Sequence, residues 1–422
     1  MLTAAGSIWD PPHERMHRGE LRRLQGRRLA HAVECARASD LGRRVLHAVD
    51  RPITSVDDVA ALPFTTKDHL RAAYPFGALA VAPTAIARAL TSSGTTGSPT
   101  ACAYTHGDLE LWAELVARGL AAAGVRAGSS VHNAFGYGLT TGGAGFQAAA
   151  ERMGALVVPA GVGDEARQIR LLDDFRATTL LCTPTYALTL LEAAARAGID
   201  PRRLPLTSLV VGGEPMGERL RARLSEGWGA QVYEAYGLSE IIGPGVANAC
   251  EAGGLHIAED HFLPEVVDPL TGRPLPIGDR GELVLTTLTR EAMPLVRYRT
   301  GDVTRLVPAP CHCGRTLVRM EPVRGRREDA IELDGRAFVP LDVEDVVHAR
   351  AEFGSVVQLG RTGGAIEVRV ESRSERVGDV RAALAASLAQ ELEAALGVRL
   401  AVKVVPSGTL PRSRGKAVRI VG

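Results

Sequence analysis

The sequence predicts an α/β fold: a large N-terminal domain of layered α/β sheets with a β-rich subdomain, followed by a small α+β C-terminal domain. Three observations predict it. Short β-branched runs alternate with amphipathic helical stretches from about residue 80, the order that builds a largely parallel sheet. Residues 254–305 then become rich in strand formers and turn residues. After a polar break at 324–329 a new helix–strand pattern begins. At about 150 residues per domain, 422 residues suggest two or three domains. We place them at 1–324, with the β-rich subdomain at about 245–324, and 325–422.

Taken in order, residues 14–48 put Leu21, Leu24, Leu29 and Val33 at helical spacing, with arginines between. Pro63 to Lys67 predicts a turn and a helix cap. Runs at 156–158, 179–182 and 209–211 read as strands, and 108–123, 186–197 and 218–226 as helices between them. In the β-rich part, 282–286 and 296–298 read as strands, with turns at Asp268-Pro269 and Pro276 to Gly278. Beyond the break we expect a helix at 342–350, strands at 355–360 and 366–371, an amphipathic helix at 375–396 and a strand at 398–405.

Composition excludes several classes. With 49 basic and 48 acidic residues the net charge is +1, which provides no general drive toward nucleic acid or an acidic membrane. A 45% hydrophobic content argues against disorder. The start lacks the basic-then-apolar pattern of a secretory signal, and no run of about 18 apolar residues occurs. A soluble, cytoplasmic protein is expected. Six cysteines in this length are not a disulfide framework, and Cys35, Cys102 and Cys182 read as small buried hydrophobes. Oligomeric state is not legible; a homodimer is only the base-rate expectation. Lysine is rare: Lys67, Lys403 and Lys416 among 49 basic residues.

Four segments could carry chemistry. Thr91 to Thr100 interleaves Ser92, Ser93, Thr95 and Thr96 with Gly94 and Gly97, a loop dense in N–H and O–H donors and suited to a polyphosphate. Tyr236-Gly237-Leu238-Ser239-Glu240 offers a carboxylate for Mg²⁺ beside phosphates. In Tyr298-Arg299-Thr300-Gly301-Asp302, Asp302 can accept from ribose hydroxyls or cap a turn. Gly212-Gly213-Glu214-Pro215 ends an apolar run, where α/β sheets bind ligands. Separately, Cys250, His256, Cys311 and Cys313 form two ligand pairs whose three thiolates and one imidazole suit a structural tetrahedral Zn²⁺; His261 and His312 are competing ligands.

Together these segments resemble the adenylate-forming superfamily of acyl- and aryl-CoA ligases, and within it the phenylacetate-CoA ligase branch. Phe135-Gly136-Tyr137-Gly138-Leu139-Thr140-Thr141-Gly142-Gly143 is similar to that branch's acyl-pocket segment. Gly325-Arg326 resembles its interdomain hinge, and Leu410-Pro411-Arg412-Ser413-Arg414-Gly415-Lys416 its catalytic-lysine motif. The resemblance extends to Leu62 to Lys67 and Tyr74 to Gly77, so it runs nearly the whole chain in order.

The resemblance implies a two-step reaction. A carboxylate attacks the α-phosphate of ATP, giving an acyl-adenylate and pyrophosphate; a thiol then takes the acyl group and AMP leaves. It assigns Lys416 to the first step, as a compact cation across carboxylate and phosphate oxygens. Ser92, Ser93, Gly94, Thr95 and Thr96 would hold the β- and γ-phosphates, and Glu240 the Mg²⁺. Gly213, Glu214, Pro215, Ala235, Tyr236, Gly237 and Ser239 would surround the adenylate, with Glu214 equally readable as a turn residue. Asp302 would bind the ribose hydroxyls, and Arg326 the ribose or a phosphate. Phe135, Tyr137, Thr140, Gly142, Ala235 and Gly243 would line the acyl pocket. The C-terminal domain would be mobile, pivoting near Glu328 and Asp329. Two positions depart from the family pattern: Ser98 stands where a lysine is common, and Glu328 where Asp is. The implied substrates are ATP, a small aromatic carboxylate and CoA. Thr140 favours a hydroxy- or amino-substituted benzoate. A carrier-protein thiol or an amine is the alternative acceptor, and a degenerate nucleotide-binding protein the non-enzyme alternative.

Overall fold

The computed structural model describes residues 7–91, 99–308, 310–362, 365–373, 379–411 and 419–421. Helices α1 (Pro11–Glu14), α2 (Arg18–Ala36), α3 (Asp40–Val45) and α4 (Lys67–Ala72) open the chain. Apolar spacing makes α2 one-sided: Leu29, Val33 and Ala36 pack with Leu263, Leu288 and Val296 of the β-rich region. Thr66 caps α4 in a capping box with His69, as the Pro63–Lys67 pattern predicts. Strands β1 (Arg88–Thr91) and β2 (Ala101–Tyr104) pair antiparallel on either side of residues 92–98, which lie outside the described set. Helix α5 (His106–Ala122) follows.

Strands β3 (Ser130–Asn133), β4 (Leu156–Val158), β5 (Thr179–Cys182), β6 (Ser208–Gly212) and β7 (Gln231–Leu238) run parallel in the order 4-3-5-6-7. Helices α6 (Thr141–Arg152), α7 (Glu165–Asp174), α8 (Pro184–Arg196) and α9 (Glu218–Trp228) make the crossovers. Strand residues alternate between two cores. Val131, Leu181, Val210 and Tyr233 meet Trp112, Leu115 and Phe146 of α5 and α6. Leu180, Cys182, Leu209 and Val211 meet Leu172, Leu190, Leu224 and Trp228 of α7, α8 and α9.

The sheet continues antiparallel through β8 (Gly243–Ala249), β9 (Leu255–Ile257), β10 (Phe262–Val267), β11 (Arg280–Thr287), β12 (Tyr298–Val307) and β13 (Arg319–Met320), making eleven strands. The β-rich expectation thus holds, with one local difference. Strand β12 begins at Tyr298, because Arg297 takes φ +44°. Its guanidinium is fixed by Glu265 and by the Ala60 and Leu62 carbonyls.

The last unit has a hairpin of β14 (Ile331–Leu333) and β15 (Arg336–Phe338), then α10 (Pro340–His348). Strands β16 (Phe353–Thr362), β17 (Ala365–Ser372), β18 (Ala401–Pro406) and β19 (Ile420–Val421) form a sheet ordered 18-17-16-19. Helix α11 (Asp379–Leu396) lays Leu388 and Leu392, one turn apart, against Val368 and Val370. Residues 375–378 of the predicted helix are outside the described set. Cys102 and Cys182 are buried as expected, but Cys35 is half-exposed on α2, beside His31 one turn away. No helix among the described residues is long and apolar enough to cross a membrane.

Candidate active site

The candidate site forms where β6 and β7 end, β8 turns back and β12 begins. Gly212 must be glycine, since a Cβ there would lie 2.3 Å from the Ala235 carbonyl oxygen. Gly213 follows with φ +80°. Glu214 is buried and accepts from Thr185 N–H at 3.3 Å and its hydroxyl at 2.7 Å, tying this loop to the start of α8. The turn-residue reading of Glu214 therefore has a geometric basis. Pro215 offers its carbonyl to Arg419 at 3.3 Å.

The β7–β8 pairing slips between Tyr236 and Gly237. Such a slip re-aims side chains, and Tyr236, at its edge, points its hydroxyl at Asp302 of β12, which Arg326 also reaches. The Tyr236 hydroxyl donates to Asp302 at 2.6 Å. Arg326 Nε donates to the other Asp302 oxygen at 3.2 Å. Asp302 N–H donates to the Thr300 hydroxyl at 3.0 Å, beside Gly301 at φ +76°. Burial and then the Asp302 charge push the Tyr236 phenol well up, so it stays a neutral donor. The Asp302 carboxylate raises Arg326 in turn.

Glu240 is buried and accepts from the Thr100 hydroxyl at 3.3 Å. Thr100 directly follows the Ser/Thr/Gly loop, so the Mg²⁺ candidate stands at that loop's root. Burial, then Glu240, pushes the Cys102 thiol up to about 12, which leaves it an inert neighbour. Ser239 is 3.3 Å from the Thr141 hydroxyl. Ser92, Ser93, Gly94, Thr95, Thr96, Ser98 and Lys416 lie outside the described residues.

The acyl-pocket segment folds over the start of α6. Phe135 is buried and stacks on Phe146, ring centroids 4.9 Å apart. A Cβ on Gly142 would press on Phe135 at 3.1 Å. The Tyr137 hydroxyl accepts from Asn133 Nδ2 at 2.9 Å, and the same amide donates to Gly143 O at 2.9 Å. Thr140 is exposed and gives its proton to Gly136 O at 2.9 Å, so towards a ligand it offers an acceptor. Gly243, φ +105°, and Gly145 both sit on Trp112, each ideal Cβ 2.5 Å from its ring. Trp112 donates to Pro244 O at 2.9 Å and stacks on Tyr104. Sequence reasoning missed Asn133 and Trp112. Trp112 looks like any apolar helix residue until the sheet brings α5 beneath Gly243.

At the hinge candidate, Arg326 and Asp302 form an isolated bridge and Arg327–Asp329 a single 3-10 turn. Glu328 is exposed, 3.6 Å from Arg326, and Asp329 is half-buried.

A separate cluster gathers Cys250, His256, Cys311 and Cys313, with all ligand atoms within 4.8 Å of one another. Cys250 and Cys311 sulfurs are 3.7 Å apart, and Cys313 Sγ is 3.3 Å from His256 Nε2. His256 Nδ1 is 2.9 Å from Leu317 O, a contact that directs Nε2 into the cluster. The Cys250 hydrogen bond draws the Cys313 thiol down and the Cys250 thiol goes up. The competing ligands are elsewhere: His261 engages Thr289 and Asp260, and His312 is exposed.

Comparison with known proteins fits this geometry. A family model described as AMP-binding enzyme matches residues 27–288, and one for the AMP-binding enzyme C-terminal domain matches 335–422. The chain belongs to the AMP-binding enzyme family. Within it, the chain stands with the phenylacetate-CoA ligases. It is 45% identical to phenylacetate-coenzyme A ligase of Thermus thermophilus, over 98% of this chain and 99% of that one. Its identity to the Escherichia coli K12 phenylacetate-coenzyme A ligase is 39%, over 86% and 85%. Among solved structures, 2-hydroxyisobutyryl-CoA ligase in the postadenylation state overlays with TM-score 0.91 at 27% identity, covering 100% of this chain and 94% of that one. The same enzyme with 2-HIB-AMP and CoA in the thioesterification state overlays at 0.74, 28% identity and the same coverage.

Proposed function

We propose that this AMP-binding enzyme is an AMP-forming acid–CoA ligase. It condenses a small aromatic carboxylate with ATP to an acyl-adenylate, then transfers the acyl group to the CoA thiol and releases AMP. The observation that carries this reading is the Tyr236–Asp302–Arg326 cluster beside Glu240 and Thr100, at the C-terminal ends of β6 and β7. It stands in a chain 45% identical to a phenylacetate-CoA ligase along almost its whole length.

Joining two anions needs positive charge and fixed geometry more than covalent chemistry. Asp302 receives the ribose hydroxyls, held in place by Tyr236 and Arg326. Glu240 is the residue to hold Mg²⁺, which would neutralise phosphate charge when bound. Lys416 bridges the attacking carboxylate and the α-phosphate. The acyl group enters over Tyr137 and Gly243, above Trp112. Glu328 and Asp329 serve as the pivot for a mobile domain 325–422. The higher likeness to the postadenylation state supports reading this conformation as the adenylate-forming orientation.

The Cys250–His256–Cys311–Cys313 cluster fits a structural zinc: three sulfurs, one oriented imidazole, no position left for substrate. Its role would be to clip β9 and the 311–317 turn together.

The test is acid-dependent pyrophosphate release across phenylacetate and hydroxy- and aminobenzoates, each with and without CoA. Release increased by CoA supports the ligase. Release that CoA leaves unchanged redirects the acceptor to another thiol or an amine. No release from any acid, with ATP still bound, overturns the reading.

A further inference from the structure

The large and small units also meet on a second surface, away from the Asp302 cluster. Helix α8 presents Thr189 and Glu192, and α9 presents Arg223. Opposite them lie Phe353 and Ser355 of β16 and Arg373 just past β17. Ser355 Oγ donates to one Glu192 oxygen at 3.1 Å, and Arg373 Nη2 donates to the other at 3.1 Å. Thr189 and Ser355 hydroxyls are 3.2 Å apart, and Arg223 Nη2 donates to Phe353 O at 2.8 Å.

Glu192 is out of place by composition. It is only 8% exposed on a helix whose other buried residues include Tyr186, Leu188, Leu190 and Ala194. Both its oxygens are bound by residues of the small unit. It also stands between two guanidinium groups: burial and Arg373 pull Arg223 down to about 10, and Glu192 opposes them. A buried carboxylate is tolerated while paired and is costly when stripped of partners without water. Such a seam has two satisfied states, paired or hydrated, whereas an apolar seam has only the closed one.

We propose that Glu192 is a positioning residue that holds the small unit in the adenylate-forming orientation through Ser355 and Arg373. The inference rests on reading that orientation as adenylate-forming. It requires Glu192 to favour the first half-reaction selectively, since a ligand or contact biases an equilibrium only by what it adds to one state.

The experiment compares wild type with Glu192→Gln and Ser355→Ala in two separate assays: phenylacetate-dependent ATP–pyrophosphate exchange, and CoA thioester formation from supplied phenylacetyl-adenylate. We expect exchange to fall on the order of tenfold in Glu192→Gln, the size expected for losing a charge-assisted hydrogen bond. Thioester formation from the supplied adenylate should be unchanged or faster. Equal losses in both assays would mean a merely structural role and overturn the inference, as would no loss in either. Absence of exchange in the wild type with any aromatic acid would instead refute the functional reading.

Discussion

At the scale of single residues, the site depends on a few short bonds to Asp302. Losing the Tyr236 hydroxyl removes a 2.6 Å bond to a buried carboxylate. Bonds to charged groups are worth about 1.5–3 kcal/mol, so Tyr236→Phe should raise KM for ATP roughly tenfold or more. An unchanged KM would remove Tyr236 from the nucleotide site. His348 tests the seam between units by pH. Burial, then Arg223, Arg419 and Arg373, push it down to about 3. Exposed, it would return to about 6.5. The closed seam thus holds the neutral ring. Its stability contribution is intact above about pH 6.5 and is lost as pH falls from there toward 3. His348→Leu should flatten the fall in Tm between pH 6.5 and 5; a curve parallel to wild type would contradict this. Which candidates would gather was legible at this scale, because Asp302 and Arg326 stand in short motifs of one family and the four zinc candidates in two close ligand pairs. Asn133, Trp112 and Glu192 were not. Each is ordinary on its own element and acquires a role only through a partner between 4 and 181 residues away.

At the scale of elements, the slip between β7 and β8 falls between two adenylate candidates, Tyr236 and Gly237. A Cβ on Gly237 would fall 1.8 Å from the Gly243 carbonyl oxygen. Gly237→Ala must push β8 away, costing about 1–3 kcal/mol and misaiming Glu240. We expect a lower Tm together with a larger loss of pyrophosphate exchange; normal exchange would mean that the slip is not needed. The Cys–His cluster gives another test at this scale. Metal analysis should find about one zinc per chain, and Cys311→Ser should lower both zinc content and Tm while leaving the nucleotide KM near wild type. Well under one equivalent in protein purified without chelators would refute the zinc site. Local pattern identified α8 and α9 by helical spacing, and β5 and β6 by unbroken apolar runs that are buried on both faces. It named no strand at β8, whose Gly-Pro-Gly start lacks strand formers and which is a strand through its pairing with β7 and β9. It extended a strand through Val296 and Arg297, where Glu265 and two carbonyls impose a left-handed backbone instead.

At the scale of the whole molecule, the α/β class followed from the order of local patterns, and the eleven-stranded sheet carries it out. Sequence patterns say little about how two units sit against each other, since that depends on sparse polar contacts spread over the chain. Arg324 reaches Asp342 at 2.7 Å and Asp345 at 2.9 Å, and Arg419 donates across the seam to the Pro215 carbonyl at 3.3 Å. With Glu192, these contacts describe a seam of charges that water can replace, consistent with a unit that turns between two half-reactions. In the proposed reaction, one site forms an acyl-adenylate and then passes its acyl group to CoA. The most direct measurement is a single-turnover quench of enzyme with ATP, Mg²⁺ and phenylacetate, chased with CoA. Enzyme-bound phenylacetyl-adenylate with matching pyrophosphate is expected before the chase, and phenylacetyl-CoA with AMP after it. ADP and phosphate in place of AMP and pyrophosphate, or a thioester formed without any adenylate, would contradict this reaction.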